Sequence, residues 1–444
     1  MLAGLIAVAA AAGTSAGAAG SSAGAPREIW CSGPILEAVQ SARLFPDSKT
    51  FVDSPLLVPP DECWHRWDAL PQPVPRDALA AFVEATFGPP GHDLVEWTPP
   101  DHNQSPALLA RLPAGTVQDW AAALNNLWPV LGRRLSEATL AHPERTTLLP
   151  VHHGFIVPGG RFRELYYWDT YWIVLGLLAV GMRQTAASVV SNLLDTARVH
   201  GFVPNGLRRY YLNRSQPPLL AQMVSAVAEI AADEAEIAAD EAEIAADEAE
   251  IAADEAEMTL ASNYTAAAAA RRAAMQSWMW AEGLGYWNDV EWASAMPLAR
   301  ESAASYMPLW AGAHDGAQAE RAVAALGAST LLQPGGVATT LISTGQQWDW
   351  PNAWPPLQQM LVEGLGACGA PGGKALANRL ASSWLNSTLL GWTRDGVMYE
   401  KMDASRPGER GGGGEYTPQE GFGWSNGVVL WLLAQGYLPG VTRE

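Results

Sequence analysis

The chain has 444 residues, with 46 acidic and 27 basic side chains and a formal net charge of −19. This negative balance argues against nucleic acids and anionic membranes as binding partners. Hydrophobic residues make up 48% of the chain, enough for a sizeable core, and 20 tryptophans are far above ordinary usage. Part of the charge is local, because residues 229–257 hold 13 acids and no base. The rest of the chain therefore carries only −6.

The first 25 residues have the composition of a leader segment. A short apolar run at residues 2–12 is followed by Gly, Ser and Ala, and residues 16–18 and 23–25 both fit a small-residue cleavage site. The run is too short to span a bilayer, and no other stretch approaches ~20 apolar residues. We therefore expect a signal peptide with a weak basic region and a secreted protein. Four Asn-x-Ser/Thr glycosylation sequons agree with secretion: Asn103, Asn213, Asn263 and Asn386.

The three cysteines are too few for a disulfide scaffold. They permit one bridge, for which Cys31–Cys63 is one pairing, with Cys368 left over. Three buried free thiols are the alternative, and the sequence leaves both open.

Helical patterning dominates after a first segment, residues 26–100, whose Pro and Trp content predicts loops. Apolar residues at helical spacing predict two short helices within residues 105–131. Longer helices are predicted at residues 167–180, 184–200 with Gly201 as C-cap, 259–282, 317–328, 355–367, 373–390 and 425–437. Alternating strand patterns are scarce, so the predicted fold class is all-α, with long loops that carry the Gly, Trp and acidic residues.

Residues 228–255 are four identical copies of the sequence AEIAADE. A seven-residue period is typical of coiled coils, but each Ile is followed at the third and fourth positions by Asp and Glu. The seam would have a single apolar row, so stable self-association is not expected. We predict an exposed or fraying acidic helix, in which Ala supplies helix propensity, and assign it no function.

A polar and aromatic stretch, PGGRFRELYYWDTYW at residues 158–172, precedes a strongly apolar run at residues 173–180. Pro-Gly-Gly predicts a turn and the apolar run predicts a buried helix, so these side chains collect where a loop enters a helix. Flat aromatic rings stack on the apolar faces of sugars, and Arg and Asp form hydrogen bonds with hydroxyls. The pattern therefore favours carbohydrate binding. The alternative is a core helix whose amino terminus carries polar and aromatic residues without a binding role.

Two later stretches strengthen the carbohydrate interpretation. QQWDWPNAWPPLQ at residues 346–358 again places Trp-Asp on a Pro-rich turn before an apolar helix. The third stretch contains Glu400, four glycines at residues 411–414 followed by Glu415, and GFGWSNG at residues 421–427.

Together the three stretches resemble the trehalases, an inverting glycoside hydrolase family. The family motif PGGRFxExYxWDxY is matched at every fixed position by residues 158–171. The motif QWDxPxGWxP is matched from Gln347 onwards, with Ala353 in place of the expected Gly. Similar stretches also lie at residues 44–51, 127–131 and 204–218, and the resemblance runs from about residue 29 to residue 438 with one interruption.

The resemblance implies an (α/α)6 toroid, in which paired helices ring a central pocket, and hydrolysis of α,α-trehalose to two glucose molecules without a cofactor. Inverting hydrolysis needs one carboxyl group that protonates the leaving oxygen and one that takes a proton from the attacking water. By resemblance Glu400 is the general base, and Glu415 binds or orients water or sugar. The implied binding shell consists of Arg161, Phe162, Trp168, Asp169, Asn205, Arg214, Gln216, Trp348 and Asp349.

The acidic repeat interrupts the family pattern. Trehalase-like chains carry on the order of a hundred further residues, several helices' worth, before the segment that resumes here near Ala261. That part holds an Arg-Pro-x-Ser-type loop and a Gly-Trp-Asp motif that supplies the general acid, and this chain contains no Gly-Trp-Asp. We therefore expect an incomplete ring, built from residues 26–227 and 258–444 on either side of a repeat at residues 228–257.

Two functions stay open. The chain is either an α,α-trehalase or a catalytically impaired or truncated relative that binds trehalose. We expect a monomer with a disaccharide as its partner, no membrane span, no nucleic acid and no metal. Neither a helical pair of metal-ligating histidines nor a phosphate-binding or dinucleotide-binding motif is present in the sequence.

Overall fold

The structure is a computed structural model that describes residues 27–239, 251–291, 293–298 and 300–440. The predicted leader at residues 1–25 lies outside these residues, and so does the middle of the predicted acidic helix, residues 240–250.

Helices dominate the described residues, as predicted. In chain order the α-helices are α1 (Pro34–Ser41), α2 (Lys49–Val52), α3 (Pro60–Asp68), α4 (Arg76–Thr86), α5 (Ala107–Ala110), α6 (Thr116–Asn125), α7 (Leu127–Leu131), α8 (Glu137–Ala141), α9 (Asp169–Ala179), α10 (Arg183–His200), α11 (Leu220–Ala239), α12 (Ile251–Trp278), α13 (Met307–Trp310), α14 (Gly316–Ala328), α15 (Pro355–Ala367), α16 (Gly373–Asp395) and α17 (Gly423–Ala434). Single turns of 3-10 helix lie at Pro143–Arg145, Arg209–Tyr211 and Ala303–Tyr306.

Short antiparallel strands connect the helices. They are β1 (Leu94–Glu96), β2 (Gly132–Leu135), β3 (Phe155–Ile156), β4 (Trp280–Ala281), β5 (Tyr286–Trp287), β6 (Val290–Glu291), β7 (Met296–Pro297), β8 (Leu332–Gln333), β9 (Gly336–Val337), β10 (Asn352–Ala353) and β11 (Met402–Asp403). The first three form one sheet in the order β1-β2-β3, and the others pair in twos. The pair β10–β11 places Asn352 opposite Asp403 and so joins the second motif to the segment after Glu400.

The prediction of loops for residues 26–100 was wrong, because α1 to α4 occupy much of this segment. Pro34 and Pro60 lie in the first turn of α1 and α3, where the missing N–H of proline leaves no hydrogen bond unmade. The prolines therefore mark helix starts rather than loops. Together with α2, these helices enclose a separate hydrophobic cluster around Phe51, Trp67 and Phe82.

Most other predicted helices are present with shifted ends. The helix at Pro355–Ala367 has the predicted bounds. Helix α10 ends at His200 and is followed by Gly201, whose φ of 79° gives the expected left-handed C-cap. The helix predicted to end at residue 282 ends at Trp278, because the chain turns there into the β4–β5 hairpin. Helix α16 continues past residue 390 to a left-handed cap at Gly396.

The most extensive helix contact among the described residues joins α9 to α17. A Cβ added to Gly427 would lie 2.0 Å from the backbone oxygen of Trp172, and one added to Gly176 would lie 2.5 Å from the Cα of Gly427. The two helices therefore touch backbone to backbone, which only glycine permits here. Both helices are apolar over nearly their whole length, as expected at the centre of a domain.

A buried ion cluster ties the first motif to the amino-terminal helices. The Arg208 Nε lies 3.1 Å from Glu164 Oε2, its Nη1 lies 3.0 Å from Asp93 Oδ2, and Lys49 Nζ lies 2.9 Å from Glu164 Oε1. Burial alone would raise the pKa of Glu164, but Lys49 and Arg208 lower that pKa to about 2. Since breaking a buried ion pair leaves a desolvated charge, this cluster fixes the first motif on the fold.

Two further structural facts bear on the sequence predictions. Within the part of the chain that the structure describes, no helix combines the length and apolar character needed to cross a bilayer. Cys31, Cys63 and Cys368 are free thiols, so the Cys31–Cys63 bridge is not formed; Cys31 is exposed rather than buried.

The helix contact predicts that Gly427→Ala is destabilising. Its new methyl group has no space, so we expect the free energy of unfolding to fall by about 1–3 kcal/mol in denaturant titrations. Gly366→Ala in α15 is the matched control, because its added Cβ meets nothing within 4 Å. That variant is expected to gain up to about 1 kcal/mol from helix propensity. Equal stability of the two variants would contradict the backbone contact.

Candidate active site

A cavity of about 400 Å³ opens where α9, α15 and α17 begin. Eight of the residues predicted for the site line it together: Phe162, Trp168, Asp169, Asn205, Arg214, Gln216, Trp348 and Glu400. These residues are distant in the sequence: Phe162 and Glu400 are 238 positions apart and line the same cavity. The α9–α17 contact brings these segments together, because the first motif leads into α9 and the third leads into α17.

Glu400 lies in this cavity wall with 1% of its surface exposed. The Tyr416 hydroxyl donates to its Oε1 at 2.6 Å, and the backbone N–H of Gln419 donates to its Oε2 at 3.1 Å. Burial raises the pKa of Glu400, while the hydrogen bonds from Tyr416 and Gln419 act in the opposite direction. A carboxylate held in this way is oriented, and its raised pKa makes it a stronger base than a surface glutamate.

Asp169 is the second carboxyl group in the cavity and the first residue of α9. Only 5% of its surface is exposed. Burial, with a further contribution from the negative charge of Glu400, raises the pKa of Asp169 to about 8. At neutral pH the Asp169 carboxyl therefore carries a proton most of the time. Among the described residues lining this cavity, Asp169 and Glu400 are the carboxyl groups.

Stacked tryptophans form one wall of the cavity. The Trp348 ring lies parallel to the Trp354 ring, with centroids 4.0 Å apart and an interplanar angle of 9°. Trp168 lies 5.5 Å from Trp348 at 45° and packs edge-on against Trp424 at 5.7 Å. This wall offers flat apolar faces beside polar groups, the combination that sugar rings require.

Another part of the cavity lining is polar. The backbone N–H of Asn205 donates to the Arg214 oxygen at 3.0 Å, which holds the two segments side by side. The Gln216 Oε1 accepts from the Trp168 backbone N–H at 3.0 Å. Arg214 is exposed, with its guanidinium 4.8 Å from the centre of the Tyr211 ring. Amide and guanidinium groups here provide paired donors for adjacent hydroxyls.

The glycine-rich loop, residues 411–414, packs directly on the second motif. The Asn352 Nδ2 donates to the Gly412 oxygen at 2.8 Å, and its Oδ1 accepts from the Gly412 N–H at 2.9 Å. Gly414 has a φ of 89°, and an added Cβ would lie 2.6 Å from the Gln347 Cβ. Glycine is therefore required at this position for the loop to reach the cavity wall.

Three predicted site residues lie outside the cavity lining. Arg161 forms a bidentate ion pair with Asp47, at 2.7 Å for both contacts, and its guanidinium lies 4.7 Å from the Tyr416 ring centre. Asp349 accepts hydrogen bonds from the backbone N–H of Thr344 at 3.1 Å and from the Thr344 hydroxyl. Glu415 is exposed. Arg161 and Asp349 are thus held by other residues of the chain, Asp47 and Thr344, and the sequence motifs alone do not reveal these contacts.

The cavity also includes residues that the sequence analysis did not select: Tyr166, Tyr211, Ser215, Pro217, Gln347, Trp354, Tyr416, Phe422 and Trp424. Tyr416 matters most, because its hydroxyl holds Glu400. Its position directly after Glu415 was a signal that could have found it. No group of three or more His, Cys, Asp and Glu side chains in the described residues is arranged to hold a metal ion.

Comparison with known proteins gives one consistent result. The family model described as trehalase matches residues 43–249 and 235–436. The human trehalase is 32% identical over 517 positions, covering 91% of this chain and 89% of the relative. The Bombyx mori trehalase is 31% identical over 525 positions, covering 92% and 90%.

The solved structure of the neutral trehalase Nth1 from Saccharomyces cerevisiae aligns with a TM-score of 0.57 at 19% identity, covering 73% of this chain and 94% of that one. This supports a helical toroid-type fold. Both sequence alignments are longer than the 444 residues of this chain, so these relatives contain segments that it lacks. Nevertheless the matched residues extend over most of its length on both sides of the repeat. The chain belongs to the trehalase family.

Proposed function

We propose that this chain hydrolyses α,α-trehalose to two glucose molecules by an inverting mechanism, with Glu400 as the general base. The observation that supports this most is the position of Glu400, whose buried carboxylate faces the tryptophan-lined cavity and is oriented by Tyr416 and Gln419. Family membership supplies the substrate class, and the cavity supplies the matching chemistry.

In this proposal one glucosyl ring stacks on the wall formed by Trp168 and Trp348. Its hydroxyls are bound by Asp169, Asn205, Arg214 and Gln216, and Phe162 packs beside them. Glu400 removes a proton from a water molecule whose oxygen attacks the anomeric carbon, while the bond from that carbon to the bridging oxygen breaks. The bridging oxygen takes its proton from solvent water, because the family's acid motif is absent from this chain. The attacking water enters from the face opposite the leaving group, so the configuration inverts.

Arg161 acts in this proposal through Tyr416 rather than on the sugar. Its guanidinium lies over the Tyr416 ring and is fixed by Asp47, and its backbone N–H donates to the Gln419 side chain at 2.9 Å. Tyr416 and Gln419 are the two residues that hold the Glu400 carboxylate. Direct sugar contacts of Asp349 and Glu415 draw no support from this geometry.

A second function, trehalose binding with impaired catalysis, is favoured by one specific observation. The family's Gly-Trp-Asp motif is absent, and Asp169 and Glu400 are the carboxyl groups among the described cavity-lining residues. We propose that the ring of helices is incomplete where the missing segment would pack. A groove of about 800 Å³, lined by residues including Tyr171, Trp310 and Trp431, runs beside α9, α13 and α17 and supports this.

Secretion and a monomeric state are further proposals. Three of the sequon asparagines, Asn103, Asn213 and Asn386, are exposed and so accessible to glycosylation. A glycan on Asn213 would stand beside Arg214 at the cavity rim.

The absent donor predicts weak turnover. We expect purified chain to release glucose from trehalose about 10²- to 10⁴-fold more slowly than a relative that contains Gly-Trp-Asp, since this is the usual contribution of general acid catalysis. A coupled glucose assay at equal protein concentrations measures this. A rate equal to that of the relative would show that a donor is present after all.

Replacement of Glu400 is expected to reduce the rate of glucose release without reducing trehalose affinity. Glu400→Gln keeps the shape of the side chain but cannot accept the proton, so residual glucose release should fall by roughly 10²-fold or more. Trehalose affinity, measured by calorimetry, should change little. Glu409→Gln is the matched control, because Glu409 is an exposed partner of Arg394. An unchanged rate for Glu400→Gln would remove Glu400 from its proposed role.

The protonation of Asp169 predicts a pH-dependent stability difference. In the folded chain its pKa is about 8 instead of 3.8, so the group destabilises the fold increasingly as pH rises from 3.8 to 8. Asp169→Asn resembles the protonated form and escapes this cost. Its free energy of unfolding should match that of the native chain near pH 3.5 and exceed it by about 5 kcal/mol at pH 8. Exposed Asp119→Asn is the control, and a pH-independent difference would contradict the raised pKa.

A further inference from the structure

Lys401 is a buried cation for which the mechanism above has no use. It directly follows Glu400, and its surface is 0% exposed. Removing an ammonium group from water is costly unless other groups compensate it. The contacts of the Lys401 ammonium group therefore indicate the role of its charge.

The neighbours of Lys401 include two cavity-lining residues, Trp354 and Glu400. Its ammonium lies 4.8 Å from the centre of the Trp354 ring and donates to the Gly413 oxygen at 3.3 Å. The adjacent Glu400 carboxylate is the charged group that favours its protonated form. Trp354 in turn stacks on Trp348 at 4.0 Å, so the cation lies against one member of the tryptophan wall.

Lys401 also contacts the glycine-rich loop through its backbone and its side-chain stem. The Lys401 backbone oxygen accepts from the Gly411 N–H at 3.0 Å, and a Cβ on Gly411 would lie 2.9 Å from the Lys401 Cγ. The loop thus wraps closely around this side chain before it continues to Tyr416. Lys401 therefore contacts both the stacked tryptophan wall and the glycine-rich loop, and this loop leads to Tyr416, which holds Glu400.

We propose that Lys401 is a positioning residue for sugar binding: its ammonium fixes Trp354, and through it Trp348, in the stacked wall while it anchors the glycine-rich loop. The inference rests on the proposed function, because it takes the Trp348 wall as the surface on which the glucosyl ring stacks. It assigns Lys401 no contact with the sugar.

If Lys401 served only the fold, its buried charge would be expected to increase the stability of the folded chain. Burial lowers the pKa of Lys401 to about 8, although the negative charge of Glu400 opposes this. The folded chain therefore binds this proton less tightly than the unfolded chain does, and ionised Lys401 reduces stability at neutral pH. Its charge is retained at a cost to the fold, as expected for a residue that serves binding.

The test separates trehalose affinity from stability. Lys401→Met keeps the length of the stem without the charge, so we expect trehalose affinity in calorimetry at pH 7 to fall about tenfold. The denaturant midpoint should stay unchanged or rise. Lys401→Arg restores a cation over Trp354 and should recover most of the affinity. Lys374→Met is the control, because Lys374 is exposed near the start of α16, and no change in affinity is expected.

A double-mutant cycle tests the route through the tryptophan. In a Trp354→Leu background, which has no aromatic ring at this position, Lys401→Met should lower affinity by much less than in the native chain, because the stack is already lost. Native affinity in Lys401→Met would overturn the proposal. So would a parallel loss of affinity and stability that Lys401→Arg does not recover.

A readout without sugar keeps the inference separate from the proposed function. Closely packed indoles couple excitonically, so the Trp348–Trp354 pair contributes to the circular dichroism spectrum, and Trp354→Phe should remove that contribution. Lys401→Met should weaken this signal and Lys401→Arg should keep it. If native chain neither binds nor cleaves trehalose, the proposed function fails, while an unchanged signal in Lys401→Met overturns the positioning role itself.

Discussion

The backbone contact between α9 and α17 is the constraint on which the candidate site depends. Gly427 has no room for a side chain against Trp172, and Gly176 has none against Gly427. The two helices therefore approach more closely than ordinary side chains allow. Because the first motif ends in α9 and the third leads into α17, this closeness brings Asp169 and Glu400 to one cavity from positions 231 residues apart in the sequence.

Buried charge gives the site its chemical character. The ion cluster of Glu164, Lys49 and Arg208 lies behind the first motif and neutralises its carboxylate. Asp169 and Glu400 instead face the cavity, where burial raises the pKa of each; at Glu400 burial outweighs the opposing positive charges of Lys401 and Arg161. A carboxyl group whose pKa is raised in this way is a stronger base once ionised and a ready hydrogen-bond donor while protonated. The fold thus separates carboxylates that hold structure from those available to a substrate.

Much of the site could be predicted because its residues lie in motifs with a distinctive order. Glu400 and Trp168 were assigned through the family resemblance and do line the cavity, and periodicity identified the apolar helix that follows Asp169. The role of Arg161 could not be read in the same way. Its ion pair with Asp47 crosses 114 residues of sequence, and no local pattern encodes such a contact.

The errors have a common physical origin. Prolines at residues 34 and 60 were interpreted as loop formers, although a proline in the first turn leaves a helix intact. Tyr416 and Lys401 were not selected, because the role of each depends on the residues that it contacts in the folded chain. Those neighbours, Glu400 for Tyr416 and Trp354 for Lys401, are set by tertiary packing.

A crystal structure of the chain soaked with trehalose tests the central claim most directly. The account predicts a glucosyl ring in the cavity, stacked on the wall that includes Trp348, with its anomeric carbon separated from the Glu400 carboxylate by room for one water molecule. Trehalose bound elsewhere, or an empty cavity at a concentration that saturates binding in solution, would contradict it.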